Sequence, residues 1–203
     1  MTKKWFIVLL ALLASVWSLN ANAVITFIQS TTATVNPGST LSLVIPAATG
    51  VGDFMIVQIT TRGTTLPTIT APAGWSTLRT DSSAGTIRQA VYYKFAVATD
   101  PGATRTWTLS SSQRATAGMM VFRGVEPTAP IDAHQGRVNA ASTTVTGPSI
   151  TTNFSGDMLV AFFGTAINSS FGPLASLNER YDVGTGGGPN GATEAGGYFL
   201  LGA

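Results

Sequence analysis

The sequence predicts an all-β domain: an antiparallel β-sandwich with jelly-roll-like connections. Three observations carry this expectation. A Gly52, Asp53 turn opens into the apolar run Phe54 to Ile59, and the same plan returns 104 residues later, where Gly156, Asp157 opens into Met158 to Phe163. Gly and Asp favour turns, and apolar runs this short read as strands buried on both faces. Ile87 to Val97 alternates cleanly, with Val91, Tyr93, Phe95 and Val97 on the face expected to meet the core and Arg88, Ala90, Tyr92 and Lys94 on the other. No stretch sustains a period near 3.6, while turn residues recur between the strand-like segments.

The elements follow in order. Val24 to Ile28 is β-branched and aromatic, which suits a first strand; Asn36, Pro37, Gly38 reads as a turn, and Leu41, Leu43 and Ile45 alternate after it. Beyond the Gly52 to Thr60 strand, Thr61 to Pro72 is loop-like. The group Pro72, Ala73, Gly74, Trp75 then forms a turn that drops an aromatic onto the edge of the core. Asp100, Pro101, Gly102 reverses the chain into Arg105 to Ser110, with Trp107 and Leu109 inward, and Ala115 to Val125 is apolar on both faces. Thr143 to Thr146 and Ile150 to Thr152 are Thr-rich strand candidates leading to the second Gly and Asp pair. Ser169 to Gly197 reads as loop, and Tyr198 to Leu201 as a last apolar strand. A strand in that terminal position leaves unpaired backbone groups. Three explanations are open: a chain lacking further strands, a complete last strand, or a gap filled by another subunit's strand such as Val24 to Ile28.

The N-terminus predicts a compartment. Lys3 and Lys4 precede the apolar stretch Trp5 to Trp17, and Ala21, Asn22, Ala23 places small residues where a signal peptidase cuts. The expected organisation is a signal peptide over 1–23 and a sandwich domain over 24–203, secreted or at a bacterial cell surface. Cleavage removes two of the eleven Lys and Arg and none of the nine Asp and Glu, leaving a formally neutral chain. No basic cluster then remains to replace phosphate counterions, which argues against a nucleic-acid partner. Charged residues make up 10% of the sequence against about 25% in ordinary soluble proteins, so hydroxyls do much of the wetting. With no cysteine, neither a disulfide framework nor a thiolate site exists, and the core must carry the fold.

The residues that could carry chemistry form no catalytic pattern. His134 is the single histidine, beside Asp132, and no Gly-x-Ser-x-Gly elbow accompanies it; a solvated loop histidine is the expectation. Neither a metal site nor a cofactor is expected. Gly186 to Gly191 matches Gly-x-Gly-x-x-Gly but contains Pro189 and stands outside any strand-to-helix unit, so it reads as a surface loop. Asp53 and Asp157 read as turn caps rather than calcium ligands. Asp81, Asp100, Glu126, Asp132, Glu179, Asp182 and Glu194 supply carboxylates without a spacing that pairs two across a cleft. Trp75, Tyr92 and Tyr181 are the candidate ligand-binding residues, as an aromatic platform for sugar rings.

Gly52, Asp53 with its strand, Pro72 to Trp75, Tyr92, Tyr93, Lys94, Trp107, Arg123, Gly124, Val125 and Pro130, Ile131, Asp132 together resemble a recurrent β-sandwich module of large secreted and phage-associated bacterial proteins. The resemblance covers most of Leu41 to Ala203. It implies a surface, adhesive or carbohydrate-contacting unit without an assigned activity, in a fold that usually closes with a further strand. The expected function is therefore an exported, non-enzymatic structural or adhesive surface module that self-assembles by strand exchange. A carbohydrate-binding module is the alternative, and a carboxylate-based glycan hydrolase a distant third. The partners expected are the chain itself or a surface polysaccharide.

Overall fold

The computed structural model describes residues 24–83, 86–174 and 176–202; the expected signal peptide lies outside them. The protein is an all-β sandwich of two antiparallel sheets. Its strands are β1 (Thr26–Val44), β2 (Phe54–Arg62), β3 (Ile69–Thr70), β4 (Ser76–Ser83), β5 (Ile87–Phe95), β6 (Thr104–Arg123), β7 (Met158–Thr165), β8 (Asn178–Gly184) and β9 (Thr193–Leu200). The larger sheet runs β1-β6-β2-β5-β4 with β3 added to β6; the smaller runs β7-β9-β8. The chain thus fills one sheet before starting the other.

The larger sheet folds over on itself. Asn36 to Gly38 does not reverse the chain, as its composition suggests, but breaks the β1 register between Val35, Gly38 and Thr40 while β1 continues along β6. Met119 of β6 lies beside Val57 of β2, which lies beside Tyr92 of β5. Twelve residues of flat strand would carry Trp107 roughly 40 Å from that row, yet its ring centroid is 6.3 Å from Tyr92 and 5.1 Å from Trp75. The first half of β6, the second half of β1 and β3 therefore curl over the sheet. They bury Leu41, Leu43, Trp107 and Leu109 against Met55, Val57, Ile59 and Met119.

The opposite face of the same sheet meets the smaller one. Phe54, Ile56, Val91, Met120 and Phe122 pack against Met158, Val160, Phe162 and Tyr181. Being covered on both sides explains why β2 is buried from Phe54 to Thr61. It also corrects the expectation for β5: Val91 packs on one face and Ala90 and Tyr92 on the other, while Val97 is exposed.

The smaller sheet repeats the β2-β5-β4 unit. Ser76, Thr77 and Arg79 stand opposite Tyr93, Tyr92 and Val91, with an irregularity at Leu78. Asn178, Glu179 and Tyr181 stand opposite Tyr198, Gly197 and Gly196, with the same irregularity at Arg180. The turns repeat too. Gly52 and Gly156 have φ of 84° and 81°, and Gly74 and Ser176 have 85° and 65°. The Ala96 N–H donates to the Asp53 carbonyl at 2.8 Å, and Leu201 N–H to the Asp157 carbonyl at 2.9 Å. Ser169 to Gly197 is accordingly not loop throughout, because β8 and part of β9 lie within it.

Candidate functional site

The repeat is incomplete at one place. In the first unit β2 is flanked by β5 and β6; in the second, β7 is flanked by β9 alone among the described residues. This corrects the reading of β7 as buried on both faces, since every residue from Met158 to Thr165 is only half-buried. An apolar run shows that a strand wants neighbours without showing that the neighbours are present. Asp157 and Leu201 form a hydrogen-bonded pair, so alternation directs the N–H and C=O groups of Leu159, Ala161 and Phe163 at β9. Those of Met158, Val160, Phe162 and Gly164 point away from it.

Beside that edge lies a cavity of about 640 Å³. Ile56, Leu78 and Val91 of the larger sheet line it from one side, and the segment from Pro130 to Thr152 from the other. Thr143 to Thr146 and Ile150 to Thr152, expected as strands, carry no ladder, and Val145, Thr146, Ile150 and Thr152 line the cavity instead. A strand needs a partner edge, and the neighbouring edge of β7 is across the cavity.

Asp53 and Asp157 sit at equivalent turns in different surroundings. Asp53 is 2% exposed; it accepts the Gly50 N–H at 2.7 Å and both Nε and Nη2 of Arg123 at 2.8 Å. Burial pushes its carboxyl up, but the bonds from Arg123 and Gly50 outweigh that and hold it below the ordinary aspartate value. Asp157 lines the cavity, and its Oδ2 is enclosed with no partner among the described residues. Burial, then the adjacent charge of Asp132 and a hydrogen bond shared with it, raise the Asp157 carboxyl, which favours a proton held between the two carboxyl groups. Asp132 in turn accepts the Asn153 N–H at 2.6 Å and Nδ2 at 2.8 Å, which lower it. The turn-cap expectation therefore describes Asp53 and fails to describe Asp157.

Trp75, Tyr92 and Tyr181 do not form a platform. All three are buried, at 9%, 3% and 7% exposure. Trp75 and Tyr92 belong to the core under the curled strands, and Tyr181 to the core between the sheets. Aromatic rings exclude water as well inside a protein as on a sugar, so composition alone does not separate the two roles. The Tyr92 hydroxyl donates to the Ile69 carbonyl at 3.1 Å and the Tyr181 hydroxyl to Gln58 Oε1 at 3.0 Å. We expect Trp75→Ala to cost about 3–5 kcal/mol of stability, as truncation of a core aromatic does, in a denaturant titration. A loss under 1 kcal/mol would restore Trp75 to the surface.

His134 is exposed, its Nδ1 3.4 Å from Nη1 of Arg79. Arg79 is itself held by Asp81 through bonds of 2.6 and 2.7 Å, so no carboxylate orients the imidazole. Gly188–Asn190 makes one turn of 3-10 helix between β8 and β9, with Asn168 Oδ1 accepting the Gly186 N–H at 2.6 Å. No group of three or more metal-ligating side chains occurs among the described residues.

Glu194 is among the carboxylates named from the sequence, but its burial is not legible there, because it ends the stretch Gly191, Ala192, Thr193 in a region that reads as loop. It is fully buried where β9 crosses Thr60 and Thr116, both also at 0% exposure. Burial pushes its carboxyl up to about 8. The Thr60 and Thr116 hydroxyls beside it oppose the shift, but neither carboxyl oxygen has a partner at hydrogen-bond geometry among the described residues. Tyr181, raised well above its ordinary value by burial and then by Glu194, is its titratable neighbour. This pair is sealed between the sheets, and the cavity lining does not include it.

The fold is a two-sheet antiparallel sandwich in which β7 pairs with β9 alone among the described residues. Comparison with protein-family models, with curated proteins and with solved structures found no match.

Proposed function

We propose that the protein is an exported, non-enzymatic structural module of a cell surface, of the recurrent sandwich type found in secreted and phage-associated bacterial proteins. It works by taking an extended segment into its smaller sheet. The observation that supports this reading is the outer edge of β7, unpaired among the described residues, beside a cavity that Ile56, Leu78 and Val91 help to line. A row of alternating donors and acceptors at 3.3 Å per residue is matched by another extended backbone. The leader-like sequence at 1–23 and the neutral, hydroxyl-rich remainder agree with a place outside the cell. Asp53, Asp81 and Asp100 are engaged in ion pairs, which removes them from acid–base work. Val24 to Ile28 is not the segment we propose for this place, because Thr26 and Phe27 pair with Arg123 and Phe122 within the chain.

Association and amide hydrogen exchange test the reading. The exported chain should bind surface polypeptides or assemble, and the amides of Val160 and Phe162 should become protected when it does. Val160→Pro removes a donor on the free edge and none from the β9 ladder, so it should abolish association with β9 amide protection retained. A chain that stays monomeric, binds no surface component and already protects both amides would sink the proposal.

A further inference from the structure

We propose that Arg62 and Arg114, together with the glycine loop between β8 and β9, form a binding site for a phosphate group, a doubly charged tetrahedral oxyanion. The site lies at the end of the sandwich where β2 and β7 finish, and it does not depend on the outer edge of β7.

The β2-β6 ladder sets up the pair. Arg62 stands directly opposite Arg114, so alternation puts both side chains on the face that carries Ile56, Met120 and Phe122 toward the smaller sheet. Both arginines are half-buried. Like charges directly opposite in a ladder repel, and neither arginine belongs to an ion pair among the described residues, whereas Arg79, Lys94, Arg105 and Arg123 each meet an aspartate. The next pair along this face is Thr60 with Thr116, and the carboxyl beside those threonines is Glu194. Burial pushes that carboxyl up to about 8, so at neutral pH it gives the arginines no countercharge.

Neutral groups draw the two guanidinium groups together. Arg62 donates Nε–H to the Ala166 carbonyl at 2.7 Å and Nη1–H to Asn190 Oδ1 at 3.2 Å. Arg114 donates Nε–H to Asn36 Oδ1 at 2.5 Å and Nη1–H to the Asn190 carbonyl at 3.3 Å. Both converge on Asn190, and Nη2 of each has no acceptor among the described residues. The loop carrying Asn190 comes this close because it is glycine. Gly186, Gly187 and Gly188 have φ of 74°, 84° and 55°, and a Cβ on Gly187 would stand 3.2 Å from Arg114 Nε. Successive main-chain N–H groups in a turn of this kind make a concavity suited to an anion.

The donors select the ligand. A guanidinium offers parallel N–H groups that match two oxygens of one anion, and arginine is the side chain that reads phosphate in this way. Two forks and two positive charges exceed what a carboxylate, with two oxygens and one charge, can answer. A phosphate monoester supplies oxygens in several directions and up to two charges. One such pair neutralises one phosphate, whereas a nucleic acid is held through several.

The test uses the exported chain at constant ionic strength, with inorganic phosphate as the probe, and follows the Arg62 and Arg114 Nε–H signals and the Gly187 and Gly188 amides by NMR. Saturable shifts with a Kd of about 1 mM or tighter are expected. Arg62→Ala and Arg114→Ala should each weaken binding about tenfold or more, the scale of a lost charged hydrogen bond, with the rest of the amide spectrum unchanged. Arg114→Lys keeps the charge and loses the fork, so it too should bind more weakly even if the alanine variant fails to fold. Arg137→Ala, which removes a cation lining the cavity beside β7, should bind as the unaltered chain does. Shifts that never saturate, an equal loss in Arg137→Ala, or acetate binding as tightly as phosphate would each overturn the site. Retention on starch phosphate and not on unmodified starch, lost in Arg62→Ala, would support a phosphate carried on a polymer. Binding of inorganic phosphate without such retention would support a phosphate on a small molecule.

Discussion

Asp100→Ala is expected to destabilise the protein by about 3–5 kcal/mol, the range found when one member of a buried ion pair is removed. Asp100 is at 0% exposure, at the Asp, Pro, Gly turn that feeds β6. Its Oδ1 and Oδ2 accept Lys94 Nζ at 2.9 and 2.7 Å, Oδ1 accepts Arg105 Nη2 at 2.6 Å, and Oδ2 accepts the Val97 N–H at 2.9 Å. Removing the carboxylate leaves two partly buried cations facing each other and one backbone donor unmatched. Burial raises the Asp100 carboxyl, but the bonds from Lys94, Val97 and Arg105 outweigh it and hold the group below its ordinary value. A depressed folded value means stability is present above the unfolded value of 3.8 and is lost as pH falls through the folded one. The unaltered protein should therefore lose stability below about pH 4, and Asp100→Ala should lose less of what remains. Denaturant titrations at pH 3 and pH 7 check both statements. A change below 1 kcal/mol at pH 7 would show that the cluster is solvated.

How much of this was legible depends on whether a signal is local. The fold class and β2 follow from short, mostly apolar runs between turn residues, because such a run gains by cover on both faces, as β2 has and β7 only partly has. The sequence pattern divides the long strands β1 and β6 at Asn36 to Gly38 and after Ser110, since proline, glycine and serine mark bends equally well within a strand and between two strands. The hairpin β8-β9 reads as loop as far as Gly197, with a strand only from Tyr198, because Gly196 and Gly197 carry no side chain to alternate. Their smallness has a distant cause: an added Cβ at Gly196 would stand 2.5 Å from the Tyr181 ring, so the glycine makes room for an aromatic that fills the sheet interface. The pairing of β7 is half legible. The repeated Gly and Asp pair announces a second unit, but that β7 has β9 as its one ladder partner among the described residues is a property of the whole topology. Asp157 looks the same as Asp53 in sequence, and only the presence of Arg123 beside one of them tells them apart.

Glu194→Gln is expected to stabilise the protein at neutral and alkaline pH, by an amount that grows with pH. The unfolded carboxyl titrates near 4.5 and the folded one near 8, so between those values the folded chain holds a proton that the unfolded chain has released. Folding stability is then fully present below about pH 4.5, declines as pH rises toward 8, and levels off above it. At ~1.4 kcal/mol per unit the decline reaches an upper bound of about 5 kcal/mol. Glutamine keeps the shape and the capacity to bond the Thr60 and Thr116 hydroxyls, and it has no charge to bury. Tyr181, the titratable group facing this site, keeps its proton through the same range because burial raises it well above 10, so the slope belongs to Glu194. Urea denaturation from pH 5 to pH 9 should give a falling line for the unaltered protein and a flatter one for the variant, the two converging near pH 5. Parallel lines would mean that the carboxyl is charged in the folded state at neutral pH, and that water or a cation reaches the space between the sheets. Because Glu194 sits on β9, the strand that also holds β7 in place, its ionisation would loosen the smaller sheet first. Exchange of the Ala161 and Phe163 amides, which face β9, should accelerate at pH 9 beyond the intrinsic effect of base in the unaltered protein and not in Glu194→Gln. The smaller sheet is then firm in acid and slack in alkali, because the charge that Glu194 acquires at high pH is buried where β9 holds that sheet together.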